Sequence, residues 1–483
     1  MKDIRRSLGI SFLTQYAELL VQFLTVLVLA RIITSADVGI YSVAAFGMAI
    51  LHVFRDFGVS KYIIQEETLT PEKIRSALGV AIILAWVVAL LLLSCRGVIA
   101  DFYHEPQIKD ILTVMAASFA VTPVGSLLIA LFRRDMQLKK VAVVRITSAV
   151  FHSVVGVSMA WEGYGALSLA WANFAGILSF GIAAALLRSP TTPLSPRFSN
   201  IKGILSYGSM ASLGSAAGVA GTNSPDVIIG KAISLDAAGY YSRANGMVQM
   251  FKTVVAGAIA PLVLPYFAEL RRNRGDIIAP YHLSVEQLTV FAWPFLGVMA
   301  VLSLPLVRTL YGLNWDVSVP IARILCVAAA ISMLATFAGD VMLAHGNVKQ
   351  VTVSQMMIHA LRVAGILAAS PYGLQAVSLT IVAAEILAVI ITSHYLFKTT
   401  SVAFMGVLRA TSRSAIVTAG SVAGPLLTVL IWGQEMHDVL ELILGGASAL
   451  CVWTLCIVLT NHPMKIHLDH ARLWFLSSIR WRS

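Results

Sequence analysis

Lys252 and Glu18 lie deep in apolar runs, where charged side chains are scarce. Lys252 sits about 12 residues, or roughly 18 Å at about 1.5 Å per residue, inside the outer end of its run. Glu18 lies in the middle of another run, 8–32. A charge in hydrocarbon is costly and faces either a cavity or a partner. The chemistry an ammonium offers there is the capture of an anion, and a carboxylate offers a place for a coupling proton or a cation. Ser11, Gln15, Gln22 and Thr25 fall with Glu18 within an arc of roughly 80° at about 100° per residue, a continuous polar stripe. Ser242, Asn245 and Gln249 share one face with Lys252. Such residues also make helix–helix hydrogen bonds. An unbroken stripe around a carboxylate favours a wet cavity, and a mid-membrane ammonium favours it more strongly.

Other polar groups carry weaker signals. Arg362 lies about seven residues from the outer end of its run, within reach of the interface for a long side chain. Arg55 and Asp56 close a run together and can pair. Arg31 and Arg145 stand near run ends, where an interfacial position accounts for them. Asp226, Asp340 and Glu385 are acids in or near runs, open either to a coupling proton or to neutralisation by a neighbouring cation. Prolines 225, 261, 265, 294 and 305 permit bends in the runs that hold them, for motion or for static packing.

The elements that position these groups follow from composition. The chain has 483 residues, 58% of them hydrophobic and only 12% charged, with a mean hydropathy of +0.82. Those values exclude a soluble globular protein. We read fourteen apolar spans, from 8–32 to 438–460, each long enough for a helix and none with the short alternation of a barrel strand. The first reads as a retained helix and not as a cleaved signal peptide. The expected class is an all-α polytopic membrane protein. With the N-terminus inside, 26 of the 35 Lys and Arg fall in cytoplasmic segments and seven on the opposite side. Both termini are therefore expected in the cytoplasm, and the net charge of +11 reads as topology and not as a nucleic-acid surface.

A repeat divides the chain. RIITSADVGIYSVA (31–44) recurs without a gap 200 residues later as KAISLDAAGYYSRA (231–244), with five of fourteen positions identical. The copies join spans one to two and seven to eight, so an even number of spans separates them and the halves are parallel. The expected domains are a six-helix N-terminal lobe (1–187), a proline-bearing cytoplasmic linker (188–203), a six-helix C-terminal lobe (204–400), two appended helices (401–460) and a basic tail (461–483). Under the same offset His52 is the equivalent of Lys252, which gives both lobes a basic-capable group at matching depth. For His52, a hydrogen-bonded packing role is an equal alternative.

No Walker A loop, dinucleotide fingerprint, HExxH or GxSxG occurs, and no loop is long enough to fold into a domain. The four cysteines are scattered, and His462, His467 and His470 have no Cys or acidic cluster around them. We therefore expect no enzyme activity, no catalytic residue, no metal site and no cofactor.

The segments ADVGIYSVA (36–44), FRDFGVSKYIIQEETLTPEKIR (54–75), ALFRRDMQLKK (130–140) and DVIIGKAISLDAAGYYSRA (226–244) resemble the polysaccharide transporter branch, the Wzx-type oligosaccharide flippases, of the multidrug/oligosaccharidyl-lipid/polysaccharide flippase superfamily. Leu138 departs from that branch, which more often has Phe there. The resemblance covers about residues 1–400. It implies two six-helix lobes around a central cavity plus two C-terminal helices, in a bacterial inner membrane. It also implies translocation of undecaprenyl-diphosphate-linked repeat units for exopolysaccharide, capsule or O-antigen (lipopolysaccharide) synthesis, by alternating access. On this reading Lys252, His52, Arg55, Arg362, Gln15, Gln22, Asn245 and Gln249 are the expected cavity residues, and Glu18, Asp226 and Glu385 the expected sites of ion coupling. The expected partners are the lipid-linked oligosaccharide, membrane lipid, and polymerase and export machinery. The competing class is a multidrug or cation antiporter of the sister branch, which typically has twelve spans and acid-centred cavities.

Overall fold

The structure is a computed structural model. It describes residues 2–56, 59, 63, 66, 69–198, 218–273, 275–432 and 437–465, with side chains at these positions apart from 2–12, 50, 51, 53–56 and 254–262. Among the described residues every regular element is a helix. Lipid offers no hydrogen bonds to the backbone, and a helix satisfies its own. Eleven helices among the described residues are long and apolar enough to cross a membrane, as a multi-pass membrane protein requires. Of the other expected spans, 38–57 and 238–267 fall largely on helices, and 203–230 is described only from 218.

The chain forms two compact units, 1–242 and 243–483. The first contains α1 (Lys2–Ile32), α2 (Ser35–Asp56), α3 (Pro71–Tyr103), α4 (Gln107–Arg134), α5 (Leu138–Trp161), α6 (Ala166–Leu187) and α7 (218–232), and its last residues open α8 (Leu235–Arg272). The second contains the rest of α8, then α9 (Ile278–Val301), α10 (Ser303–Tyr311), α11 (Ser318–Ser332), α12 (Ala338–Ala344), α13 (Val348–Ala369), α14 (Leu374–Thr400), α15 (Phe404–Ala410), α16 (Ser412–Trp432) and α17 (Asp438–Leu459). In the first unit α3 packs on α4, and α6 packs on both α4 and α5. In the second, α9 packs on α11, and α14 packs on both α11 and α13. The same pairing order thus occurs twice. Small residues allow these approaches: a Cβ on Gly156 of α5 would lie 3.0 Å from the Ala172 methyl of α6.

The helix ends follow from local chemistry. Thr70 caps α3, its hydroxyl accepting from the Lys73 N–H at 3.4 Å, and Pro71 sits in the first turn, where no N–H is needed. Pro294 stays inside α9, whereas Pro305 lies in the first turn of α10, just past the break at Leu302. Of the prolines expected to permit bends, Pro305 therefore accompanies a break and Pro294 does not.

The two copies of the repeat lie against each other at the outset of α2 and α8. A Cβ on Gly39 would stand 1.8 Å from the Leu235 carbonyl oxygen, and one on Gly239 would stand 1.9 Å from that of Ser35. The contact is reciprocal, backbone on backbone. Side chains fasten it: Ser42 Oγ donates to Ser242 Oγ at 2.9 Å, and Ser35 Oγ donates to Asp236 Oδ1 at 2.5 Å. Beside it Asp37 accepts from Thr34 Oγ1 at 2.7 Å and from the Ala166 N–H at 2.9 Å, tying α2 to the first turn of α6. Gly165 has φ +51, and a Cβ there would meet Asp37 Oδ1 at 2.4 Å. The glycine therefore serves both the left-handed backbone and the close carboxylate.

In the second unit α16 and α17 are fastened to α9 and α10. Part of that attachment is polar. His462, just past α17, is buried, with Nε2 3.3 Å from Ser414 Oγ and 3.6 Å from Glu286 Oε1. Its Nδ1 accepts from the Met464 N–H at 3.2 Å, and Thr289 Oγ1 donates to Ser414 Oγ at 3.0 Å. His467 and His470 lie outside the described residues. Burial, reinforced by Arg413, pushes the His462 imidazole down to about 4.

Two outcomes follow for the purified protein in detergent. Gly39→Ala loses stability, about 1–3 kcal/mol for an overpacked contact, while Gly47→Ala on the same helix, where a Cβ meets nothing within 4 Å, loses none. Paired thermal melts check this. Between about pH 6.5, the ordinary value for histidine, and pH 4, the unfolded chain takes up a proton at position 462 that the folded chain refuses. Stability therefore falls as pH drops through that window, and His462→Gln flattens the decline of the melting temperature.

Candidate functional site

In the first unit, α5 is the helix that meets the polar stripe of α1. Arg145 Nη1 donates to Glu18 Oε2 at 3.2 Å, with side chains 37% and 25% exposed, so water still reaches the pair. Thr25 Oγ1 lies 2.5 Å from Ser153 Oγ and 2.7 Å from the Val21 carbonyl oxygen, to which it donates. Two members of the stripe are thus spent on holding helices together. Gln15 is half-buried and Gln22 exposed, and the Ser11 side chain lies outside the described residues.

His52 is half-buried, its ring centroid 4.7 Å from that of Phe119. The backbone of Arg55 belongs to α2, and its side chain, like that of Asp56, lies outside the described residues. Asp226 on α7 is 9% exposed, and its Oδ1 is buried without a hydrogen-bond partner. A buried carboxylate oxygen left in that condition is a place for a proton or a cation.

The second unit brings together three of the expected residues. Arg362 Nη2 donates to Glu385 Oε1 at 2.7 Å across the packed pair α13 and α14, with side chains only 13% and 17% exposed. Glu385 and Arg362 are also the charges that act on Lys252, near the midpoint of α8. Asn245 Oδ1 and Gln249 Nε2, on the Lys252 face, are 3.4 Å apart. Arg362 and Glu385 form the ion pair, and Lys252 lies within the field of both.

The sequence reading placed Arg362 within reach of the interface; the guanidinium lies instead on Glu385. It did not single out His359. That residue stands three positions before Arg362, hence on the same face of α13, and the Arg362 charge acts on it. The i, i+3 spacing of His359 and Arg362 was the available signal. The pairings of Glu18 with Arg145 and of Arg362 with Glu385 had none beyond opposite charge on different spans.

A separate cavity of about 710 Å³ in the second unit is lined by Val263, Phe267, Leu288, Phe291, Phe337 and Met464 among others. None of the expected site residues lines it. The lining is mostly apolar, with Glu269, Gln287 and Ser284 as its polar members.

The structural likeness shows the fold. The fold is similar to that of the lipid II flippase MurJ in an inward closed conformation, with a TM-score of 0.73 and 13% identity over 93% of this chain and 99% of that one. It is also similar to an inward-facing multidrug resistance MATE family transporter, with a TM-score of 0.64 and 13% identity over 82% and 94% of the two chains. The chain belongs to a polysaccharide biosynthesis protein family, whose model matches residues 28–320. Among its relatives is the succinoglycan biosynthesis transport protein ExoT of Rhizobium meliloti (strain 1021), 25% identical over 338 residues, 68% of this chain and 67% of that protein. Another is the lipopolysaccharide biosynthesis protein WzxC of Escherichia coli (strain K12), 21% identical over 326 residues, 66% of each chain. The chain thus matches about two thirds of the length of either relative. The polysaccharide transporter family indicated by residues 36–44, 54–75, 130–140 and 226–244 is the family shown.

Proposed function

We propose that this protein is a flippase that carries undecaprenyl-diphosphate-linked oligosaccharide repeat units across the bacterial inner membrane, for exopolysaccharide, capsule or O-antigen synthesis. The observation that carries the reading is the charge cluster of the second unit. Arg362 pairs with Glu385 across two helices apolar enough to cross a membrane, and both charges act on Lys252 of α8. A diphosphate is the part of such a substrate that a net positive cluster attracts, and screening is weak where water is scarce.

Asn245 and Gln249 extend the same face with groups that can hydrogen-bond to sugars. Gln15, Gln22, His52 and Arg55 supply further polar groups in the first unit. Transport proceeds by alternating access through a cationic cavity, coupled to an ion gradient at one or more of Glu18, Asp226 and Glu385. Fourteen spans in two six-helix lobes plus two appended helices, with both termini in the cytoplasm, complete the reading. The polysaccharide polymerase and export machinery receive the product.

Deleting the gene tests the class. Lipid-linked repeat units then accumulate on the cytoplasmic side; loss of drug or cation resistance with normal units would instead identify an antiporter of the sister branch. Lys252→Ala, inserted in the membrane at wild-type level, lowers polymer export at least about tenfold, the loss of one charge-assisted contact of about 1.4 kcal/mol or more. Normal export in that variant removes Lys252 from the mechanism. Glu18→Gln transport, measured with and without the ion gradient, loses its gradient dependence if Glu18 is the coupling site; unaltered dependence excludes it.

A further inference from the structure

The second unit holds more hydrogen-bonding capacity around Glu385 than Glu385 uses. Arg362 spends Nη2 on the carboxylate, while its Nε is buried with no hydrogen-bond partner. His359 Nδ1, one turn away on the same face of α13, is likewise buried and unpartnered. A guanidinium is a planar fork that matches two oxygens of one anion. Here one oxygen fills one tine, and a neighbouring ring nitrogen stays empty. Arg362 therefore holds Glu385 with hydrogen-bonding capacity to spare, His359 stands beside Arg362 on the same helix face, and the Arg362 and Glu385 charges both act on Lys252.

We propose that Glu385 is an exchangeable counter-ion. It occupies an anion subsite built by Lys252, His359 and Arg362, and a diphosphate displaces it from Arg362. The inference rests on the reading that this cluster meets the diphosphate of the substrate, and it adds how the cluster is regulated. A diphosphate carries several terminal oxygens, enough to fill both the Nη and the Nε edges of Arg362 and to reach Lys252 and His359 together. Adding it beside a carboxylate still on Arg362 would crowd like charges where screening is weak, so binding and the ion pair exclude one another. Glu385 reaches Arg362 on a flexible arm and is 17% exposed, so it has somewhere to turn. When the anion leaves, the carboxylate returns, and Arg362 is never left as a bare charge in a low-dielectric setting. The exchange thus favours release as much as binding.

The test is the binding of inorganic pyrophosphate to the full purified chain in neutral detergent, read by titration calorimetry. Glu385→Gln binds pyrophosphate about tenfold more tightly than the wild type, because the competitor for Arg362 is gone. Arg362→Gln binds about tenfold more weakly, and Glu385→Gln placed on that background gives no gain, since there is no longer a contact to compete for. A gain that persists without Arg362 makes Glu385 a bystander charge and overturns the exchange, as does equal or weaker binding by a folded Glu385→Gln protein.

Lys252→Ala separates the two levels. Wild-type affinity in that variant sinks the reading of the cluster as the diphosphate site. Weakened binding there, with no effect of Glu385→Gln, sinks the exchange alone. Should Glu385→Gln not fold, Glu385→Asp, which loosens the same pair by shortening the arm, shows a smaller gain in the same direction, and no gain overturns the proposal. Phosphatidylglycerol added at equimolar amount leaves pyrophosphate binding unchanged; if it displaces pyrophosphate, the subsite belongs to a lipid headgroup and the diphosphate assignment falls.

Discussion

A charge kept from bulk water has to be paired, and that constraint orders the polar chemistry of this protein. Glu18 meets it through Arg145, on helices distant in sequence, and Arg362 through Glu385, on consecutive helices. Arg308 meets it through Asp316, with two guanidinium nitrogens on the carboxylate at 2.7 and 3.1 Å. The pairs differ in their setting. Arg308 and Asp316 lie at helix ends, a third exposed, and hold a turn. Arg362 and Glu385 are far less exposed, in the middle of helices, and have Lys252 as a third charge. The Arg362 and Glu385 charges act on a third charged group in the interior of a helix.

The neutral contacts obey a related rule. Without water to squeeze apolar surfaces together, helices in lipid associate by close packing and by hydrogen bonds. The reciprocal approach of Gly39 and Gly239, with the Ser42–Ser242 bond beside it, uses both, and Gly156 against Ala172 uses the first. Asp37 extends the pattern by satisfying the first turn of a second helix, which lipid would leave bare.

Helix positions were legible because a span must be apolar for about 20 residues, a signal that composition carries directly. The 200-residue repeat was legible through five identities in fourteen positions at a fixed offset, and its register holds to the residue: Ser35 opens α2 and Leu235 opens α8. The partners of the charges were not. Arg362 and Glu385 are 23 residues apart on different helices, and Glu18 and Arg145 are 127 apart. Periodicity states which face of a helix a residue is on; it does not state which helix that face meets. For the same reason Thr25 read as part of a cavity stripe, while its hydroxyl is engaged by Ser153. His462 read as an isolated tail histidine because Glu286 and Ser414, which surround it, come from two helices far upstream.

The shared register of the repeats makes their divergence informative. His52 and Lys252 each stand 17 residues beyond the first residue of their helix, yet their surroundings differ. His52 rests against the ring of Phe119. Lys252 has Glu385 and Arg362 acting on it. If the two positions did the same work, the same residue would serve at both. The difference sets a lysine acted on by Glu385 and Arg362 in the second copy against a histidine packed on an aromatic ring in the first.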